Sequence, residues 1–260
     1  SLYTNVNGSK NVAVGSGALF AMNPASDTDT YNTAVGHDAG VAVTTGIMNT
    51  LIGGLAGDAI TDGKYNIALG KSALSADTSG NRSIAIGLGA LETQNFTSDT
   101  DAYNIGIGHR AGTAVTTGVN NTIIGGLAGD AQTTANNNTA VGYQALSANT
   151  TGSQNIAIGR SALAANTSAS NSVAVGNSAL GANTTGTQNV AMGAVSLDAN
   201  TEGDNNVALG YGALSANTTA DDNVAIGRTA METNTTGTAN VAVGKDALLS
   251  NTTALNNTAV

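Results

Sequence analysis

Cysteine and tryptophan are absent from this 260-residue chain, proline occurs once, and the large rings amount to two Phe and six Tyr. Without cysteine there is neither a disulfide framework nor a thiolate metal site, and the redox compartment stays open. Leu, Ile, Val and Phe together make roughly a fifth of the residues, a composition at the edge of the disordered class, which argues against a conventional globular core. Basic residues are also scarce: eight Lys and Arg stand against 17 Asp and Glu, for a formal net charge of −9. No basic surface exists to neutralise phosphates, so nucleic acid is not expected as a partner. No stretch approaches the length of a membrane helix, so no direct membrane insertion is expected. Residues 1–20 lack the charged-then-apolar layout of a signal peptide, and any export signal or anchor is expected to lie outside these residues.

What is abundant is glycine, 34 residues of it, and the glycines keep time. Those that end each N-V-A-V-G-like segment fall at 15, 36, 53, 70, 87, 108, 125, 142, 159, 176, 193, 210, 227 and 244, a step of 17 with two steps of 21. The longer steps mark four-residue insertions near 23–31 and 95–103. Residues 1–260 therefore form a single repeat array, and a last coil that stops at Val260 suggests a piece of a longer fibre. An exact internal repeat lets small apolar residues bury one another coil upon coil, which composition alone does not reveal.

Each column of the repeat has its own chemistry. Four residues before the glycine stands Asn in 13 of 15 coils, including Asn11, Asn32, Asn138, Asn155, Asn189, Asn206, Asn223 and Asn240, with Ser83 and Ser172 as exceptions. Stacked one rung apart, about 4.8 Å, identical amides hydrogen-bond along the axis, so this column predicts a structural ladder. Val or Ile lies three and one residues before the glycine with Ala usually between, the alternation of a strand. The β-branched pair is expected on one face and Ala on the other, where a small side chain lets another surface approach. The glycine itself predicts a corner closed to other residues. Ala follows three residues later, then in most coils Leu, such as Leu146 or Leu163, the largest recurring core residue. Where this Leu becomes Gly40, Gly57 or Gly112, an apolar Val43, Ile60 or Val115 stands three residues further on. Thr recurs eight residues past the glycine, for example Thr150, Thr184 and Thr218, within N-T-T-G strings that predict a second corner and a second structural ladder. The sum is an all-β parallel β-solenoid of 17-residue coils, with two short strands and two corners per coil. Helix is excluded by the lack of three-and-four spacing and by the density of Gly, Asn and Thr.

A roll this thin buries little apolar area against its backbone entropy, so self-association along the Ala wall is expected. The N-V-A-V-G, N-I-A-I-G and S-V-A-V-G segments resemble the head repeat of YadA-like trimeric autotransporter adhesins. N-T-A-V-G-Y-Q-A-L is similar to head-type repeats in bacteriophage tail fibres. The resemblance implies a left-handed β-roll, a homotrimer, and an extracellular place on a virion tail fibre or a bacterial surface. The coils here are longer than is usual for YadA-like heads, and these residues contain no neck, heptad stalk, membrane anchor or chaperone domain.

Site candidates are few. The insertions carry Asp27 and Asp29 in S-D-T-D-T-Y-N, and Asp99 and Asp101 in S-D-T-D-A-Y-N. Such D-x-D pairs offer oxygen ligands to calcium, or form solvated loop tips; neither loop has the ligand count of a defined calcium loop. Receptor contact, with a glycan or a protein, is sought first around Phe20, Tyr31, Phe96 and Tyr103, since loops on a rigid scaffold carry recognition. His37 and His109 follow strand glycines, and a ring of three would bind metal across a trimer, or each is a solvated corner side chain. The Thr column invites an ice-binding reading, but adjacent Thr residues on a strand point to opposite faces. The N-T-T strings match glycosylation sequons, but their turn role already accounts for them. No nucleophile, base and carboxylate converge and no phosphate-cradling loop occurs, so neither catalysis nor a cofactor is expected. The sequence thus points to a structural, attachment-mediating surface fibre, or to a carbohydrate- or protein-binding module acting through its insertions.

Overall fold

A computed structural model describes all 260 residues, with strands and turns and no helix. They divide into two compact units, Ser1–Thr134 and Ala135–Val260, and each is a parallel β-solenoid of the 17-residue repeat. The first unit contains seven three-residue strands, Val12–Val14, Thr33–Val35, Thr50–Ile52, Ile67–Leu69, Ile84–Ile86, Ile105–Ile107 and Thr122–Ile124. The second contains the corresponding strands from Thr139–Val141 to Val241–Val243, followed by Thr258–Ala259. Like residues pair with like: Ile156 with Val173, Ala157 with Ala174, Ile158 with Val175. In-register pairing is what a period-2 pattern repeated every coil enforces, because a one-residue slip would exchange the two faces.

The sense of those faces is the reverse of the sequence expectation. Ala157 is fully buried, whereas Ile156 and Ile158 are 39% and 40% exposed. The same holds for Ala68 between Ile67 and Leu69 in the first unit. Where Leu fills the opposite wall only a methyl group fits beneath the strand, and the β-branched pair is turned outward. Self-association along an Ala wall is therefore corrected: the face left open is the β-branched one.

The second expected strand is absent from most coils and survives only as two-residue pairs at the insertions. Opposite the regular strand the chain runs through residues with positive φ, two and four past the glycine, such as Gln144 (φ 56) and Leu146 (φ 55). A further residue in this conformation precedes the Asn ladder by one position, as at Gln154 (φ 62). Successive coils still bond there, with Leu146 N–H donating to Ala162 C=O at 2.9 Å and Ala148 N–H to Ala164 C=O at 3.0 Å. The left-handed residues turn every second carbonyl out of a pleat, so the wall is hydrogen-bonded but not a strand.

The corner glycine performs the role expected of it. Gly142 has φ +135, and a Cβ there would stand 2.6 Å from the carbonyl oxygen of Gly159 in the next coil. Both the torsion and the closeness of the neighbouring backbone exclude a side chain.

Inside, the columns are Ala two before and three after the glycine, Leu four after, and the amide ladder. Where Leu is replaced by glycine the missing volume is supplied from elsewhere. Leu51 stands in the inward Ala column, and a Cβ on Gly40 or Gly57 would come within 2.6 or 2.7 Å of its methyl groups. Ile123 fills the same space against Gly112. Val43, Ile60 and Val115 are fully buried beside these glycines, as their spacing predicts.

Candidate functional site

The first polar system is the predicted Asn ladder, and it is buried throughout all but the outermost coils. In the first unit Asn32 N–H donates to the side-chain carbonyl of Asn11 at 2.8 Å, and Asn49 N–H to that of Asn32 at 2.9 Å. In the second, Asn155 N–H donates to Asn138 Oδ1 at 2.9 Å, and the same bond runs through Asn189, Asn206, Asn223 and Asn240. Ser172 stands in with its hydroxyl, accepting from Asn189 N–H at 3.3 Å. Amide nitrogens of the inner rungs also reach across the coil, as Asn155 Nδ2 does to Ala169 C=O at 2.8 Å.

A second amide ladder escaped the sequence reading. In Ala135–Val260 the Asn seven past the glycine, which opens an N-T-T, N-T-S or N-T-E string, is not a solvated turn residue: Asn149, Asn166, Asn183, Asn200, Asn217 and Asn234 are fully buried. Asn166 Nδ2 donates to Asn149 Oδ1 at 2.9 Å and Asn200 Nδ2 to Asn183 Oδ1 at 2.8 Å. The two ladders meet on one carbonyl per coil, so that Gly203 C=O accepts from Asn189 Nδ2 at 2.7 Å and Asn200 Nδ2 at 2.9 Å. The available signal was the strict 17-residue recurrence of that Asn, which a turn does not require. The Thr that follows it donates its hydroxyl to the next coil's Thr carbonyl, Thr150 to Thr167 at 3.0 Å, Thr184 to Thr201 at 2.9 Å and Thr218 to Thr235 at 3.3 Å. Those hydroxyls serve the corner rather than a regular outward array.

In Ser1–Thr134 the corresponding inner column is irregular and contains a carboxylate. Asp77 is fully buried and accepts from Gly80 N–H at 3.1 Å, Phe96 N–H at 3.0 Å and Gln94 Nε2 at 2.6 Å. Burial holds its carboxyl above the ordinary range, opposed by those three donors. Gln94 passes the network on, donating to Ser83 Oγ and accepting from Asn104 Nδ2, both at 2.9 Å.

The insertions are tied to the preceding coil by short parallel pairs, Gly8–Ser9 with Thr28–Asp29 and Gly80–Asn81 with Thr100–Asp101. Their carboxylates face cations. Asp29 meets Lys10 Nζ at 2.6 Å and Ser9 Oγ at 2.6 Å, Asp99 meets Lys64 Nζ at 3.0 Å, and Asp101 meets Arg82. The Lys10 contact holds the Asp29 carboxyl below its usual range, and Asp29 in turn raises Lys10. The Asn81 amide, then Lys64, does the same for Asp99. Asp27 lines an open depression with Val6, Asn7 and Ser9. The D-x-D carboxylates are thus distributed along the edge between coils, and no group of three or more His, Cys, Asp or Glu is placed to hold a metal.

Of the aromatic candidates, Phe20 is exposed and stacked on Tyr3 with ring centroids 5.1 Å apart, and Tyr31 and Tyr103 are exposed. Phe96 is corrected as a contact residue: it is 7% exposed, its backbone N–H is bonded to the Asp77 carboxylate, and it offers no ring to a partner. His37 and His109 are exposed corner side chains, His37 beside Asp38 at 3.1 Å. No family model matches the chain, and no curated protein matches it either.

Proposed function

We propose that this chain is a segment of an extracellular attachment fibre, on a virion tail or a bacterial surface, in which copies associate side by side as a homotrimer. The observation that carries the reading is the outward β-branched face. In the second unit Ile156, Ile158, Met192 and Ile226 are exposed large apolar side chains in two adjacent columns, and Val12, Val14, Ile67 and Leu69 continue the same pattern within the first. A monomer's surface seldom keeps so regular an apolar wall uncovered. The number three comes from the likeness to YadA-like and tail-fibre head repeats. The role is mechanical and non-enzymatic: two buried amide ladders hold a scaffold that displays a receptor-binding surface.

Light scattering on the purified chain tests it, with three times the 25.3 kDa chain mass expected. Ile156→Lys with Ile158→Lys should release monomer. A mass of one chain at all concentrations would overturn the reading.

The second reading, a carbohydrate- or protein-binding module, is favoured by the exposed Tyr31 and Tyr103 beside the insertions.

A further inference from the structure

The position five before each corner glycine lies in the left-handed region in every coil. In the first unit it is filled by Lys10, Tyr31, Met48, Tyr65, Arg82, Tyr103 and Asn120, with φ between 49° and 61°. Bulky residues disfavour that backbone, whereas Asn tolerates it. In the second unit the same column contains Asn137, Gln154, Asn171, Gln188, Asn205, Asp222, Ala239 and Asn256. In the second unit folding is therefore served by Asn, Gln, Asp or Ala, and the tyrosines of the first unit lie at the surface: Tyr31, Tyr65 and Tyr103 are 46%, 42% and 51% exposed. Exposed rings in a column that folding elsewhere fills with Asn, Gln, Asp or Ala point to a contact outside the fold.

Lys10, Tyr31, Met48, Tyr65, Arg82 and Tyr103 follow one another in this column, one per coil. Tyr65 and Tyr103 lie two coils apart, about 10 Å at the usual strand spacing. Between them the Arg82 guanidinium stands 5.1 Å from one ring centroid and 5.7 Å from the other. Lys10 lies over Tyr31 at 4.9 Å and donates to its hydroxyl at 2.9 Å. Each cation along this edge has its carboxylate: Lys10 with Asp29, Lys64 with Asp99, Arg82 with Asp101. A row whose charges are already matched does not select a polyanion. What it presents is phenol hydroxyls, apolar ring edges and paired carboxylate and guanidinium groups, the chemistry that hydrogen-bonds neighbouring hydroxyls while covering C–H surface.

We propose that this row binds a neutral polysaccharide lying along the column from Lys10 to Tyr103. The proposal rests on the carbohydrate-binding reading above and gives it a site and a ligand class.

The test is affinity electrophoresis of the full chain in gels containing a β-glucan, a xylan, a galactomannan or a dextran, with alginate and heparin as anionic comparisons. Retardation by at least one neutral polymer is expected. In Tyr31→Asn/Tyr65→Asn/Tyr103→Asn it should weaken at least tenfold without a lower Tm, because Asn suits the backbone. On the unsubstituted chain, the same polymer should protect Tyr31, Tyr65 and Tyr103 from iodination but leave the exposed Tyr143 and Tyr211 reactive, a readout that needs no variant. Retardation by no neutral polymer, by anionic polymers alone, or equally for the triple variant, or protection that spares the three tyrosines, overturns the proposal. Cell adhesion that survives in the triple variant refutes the row while leaving the attachment fibre intact.

Discussion

Truncating Asn206 to Ala isolates the contribution of one rung of the outer amide ladder. In the native chain Asn206 Oδ1 accepts from Asn223 N–H at 3.0 Å, and Asn206 Nδ2 donates to Ala220 C=O at 2.7 Å. After truncation Ala220 C=O keeps a donor in Asn217 Nδ2 at 3.1 Å, and Asn189 Oδ1 keeps the Asn206 N–H at 2.9 Å. Asn223 N–H is the group left buried without a partner. Such an orphan costs about 1–3 kcal/mol, and the vacated amide adds a small packing loss, giving about 3 kcal/mol in all. Asn206→Ser is the control, because Ser172 already serves in this column. A hydroxyl retains the acceptor at longer range, and about half the loss is expected. Repeat arrays do not unfold as one cooperative unit, so the assay is native-state hydrogen exchange resolved by peptide, with the amide of Asn223 read directly. Loss of protection at Asn223 should be roughly a hundredfold for Ala and tenfold for Ser. Equal protection in the Ala and native chains would show that the ladder does not carry the coil.

Gly142→Ala should destabilise by at least about 3 kcal/mol, since both its torsion and the Gly159 carbonyl oppose a Cβ. At Gly244 nothing lies within 4 Å of an added Cβ, so Gly244→Ala tests the torsion alone and should lose distinctly less stability in urea unfolding. Leu51→Ala should cost about 3–4 kcal/mol by opening a cavity, and adding Gly40→Leu and Gly57→Leu should recover a substantial part, as a non-additive thermal-melting series. Burial places the folded-state pKa of Asp77 above the unfolded value, so the native state binds the extra proton. Its contribution is fully present below the unfolded pKa and declines as pH rises through the folded one. The Tm difference between native and Asp77→Asn chains should therefore shift against the native chain as pH rises from about 4.

Much of the fold was legible because stacking repeats every requirement. The 17-residue step, the Asn ladder within each unit, the Leu146 core column and the corner at Gly142 are each set by one local rule applied many times. Alternation, however, gives two faces without saying which is inside; the spacing available inside the roll decided for Ala157 over Ile156. Leu146 in a left-handed conformation has no sequence signature, because nothing in a leucine announces positive φ, so a second strand was the natural expectation. Asn149 was read as a turn residue since Asn suits both a solvated corner and a buried ladder, and only the opposing Asn138 column distinguishes them. At the insertions, spacing located the loops but not the burial of Phe96, which depends on Asp77 from the coil before. The tyrosine row was divided in the reading of the sequence because its members are 17 or 21 residues apart.

Like residues form columns from coil to coil, with the β-branched pair outward. Nitroxide labels at Ile156→Cys and Val190→Cys, in chains diluted with unlabelled protein, measure that arrangement directly. Two rungs separate these positions, so about 10 Å and strong dipolar broadening are predicted. Spectra no broader than the sum of the two single labels would contradict the stacking itself.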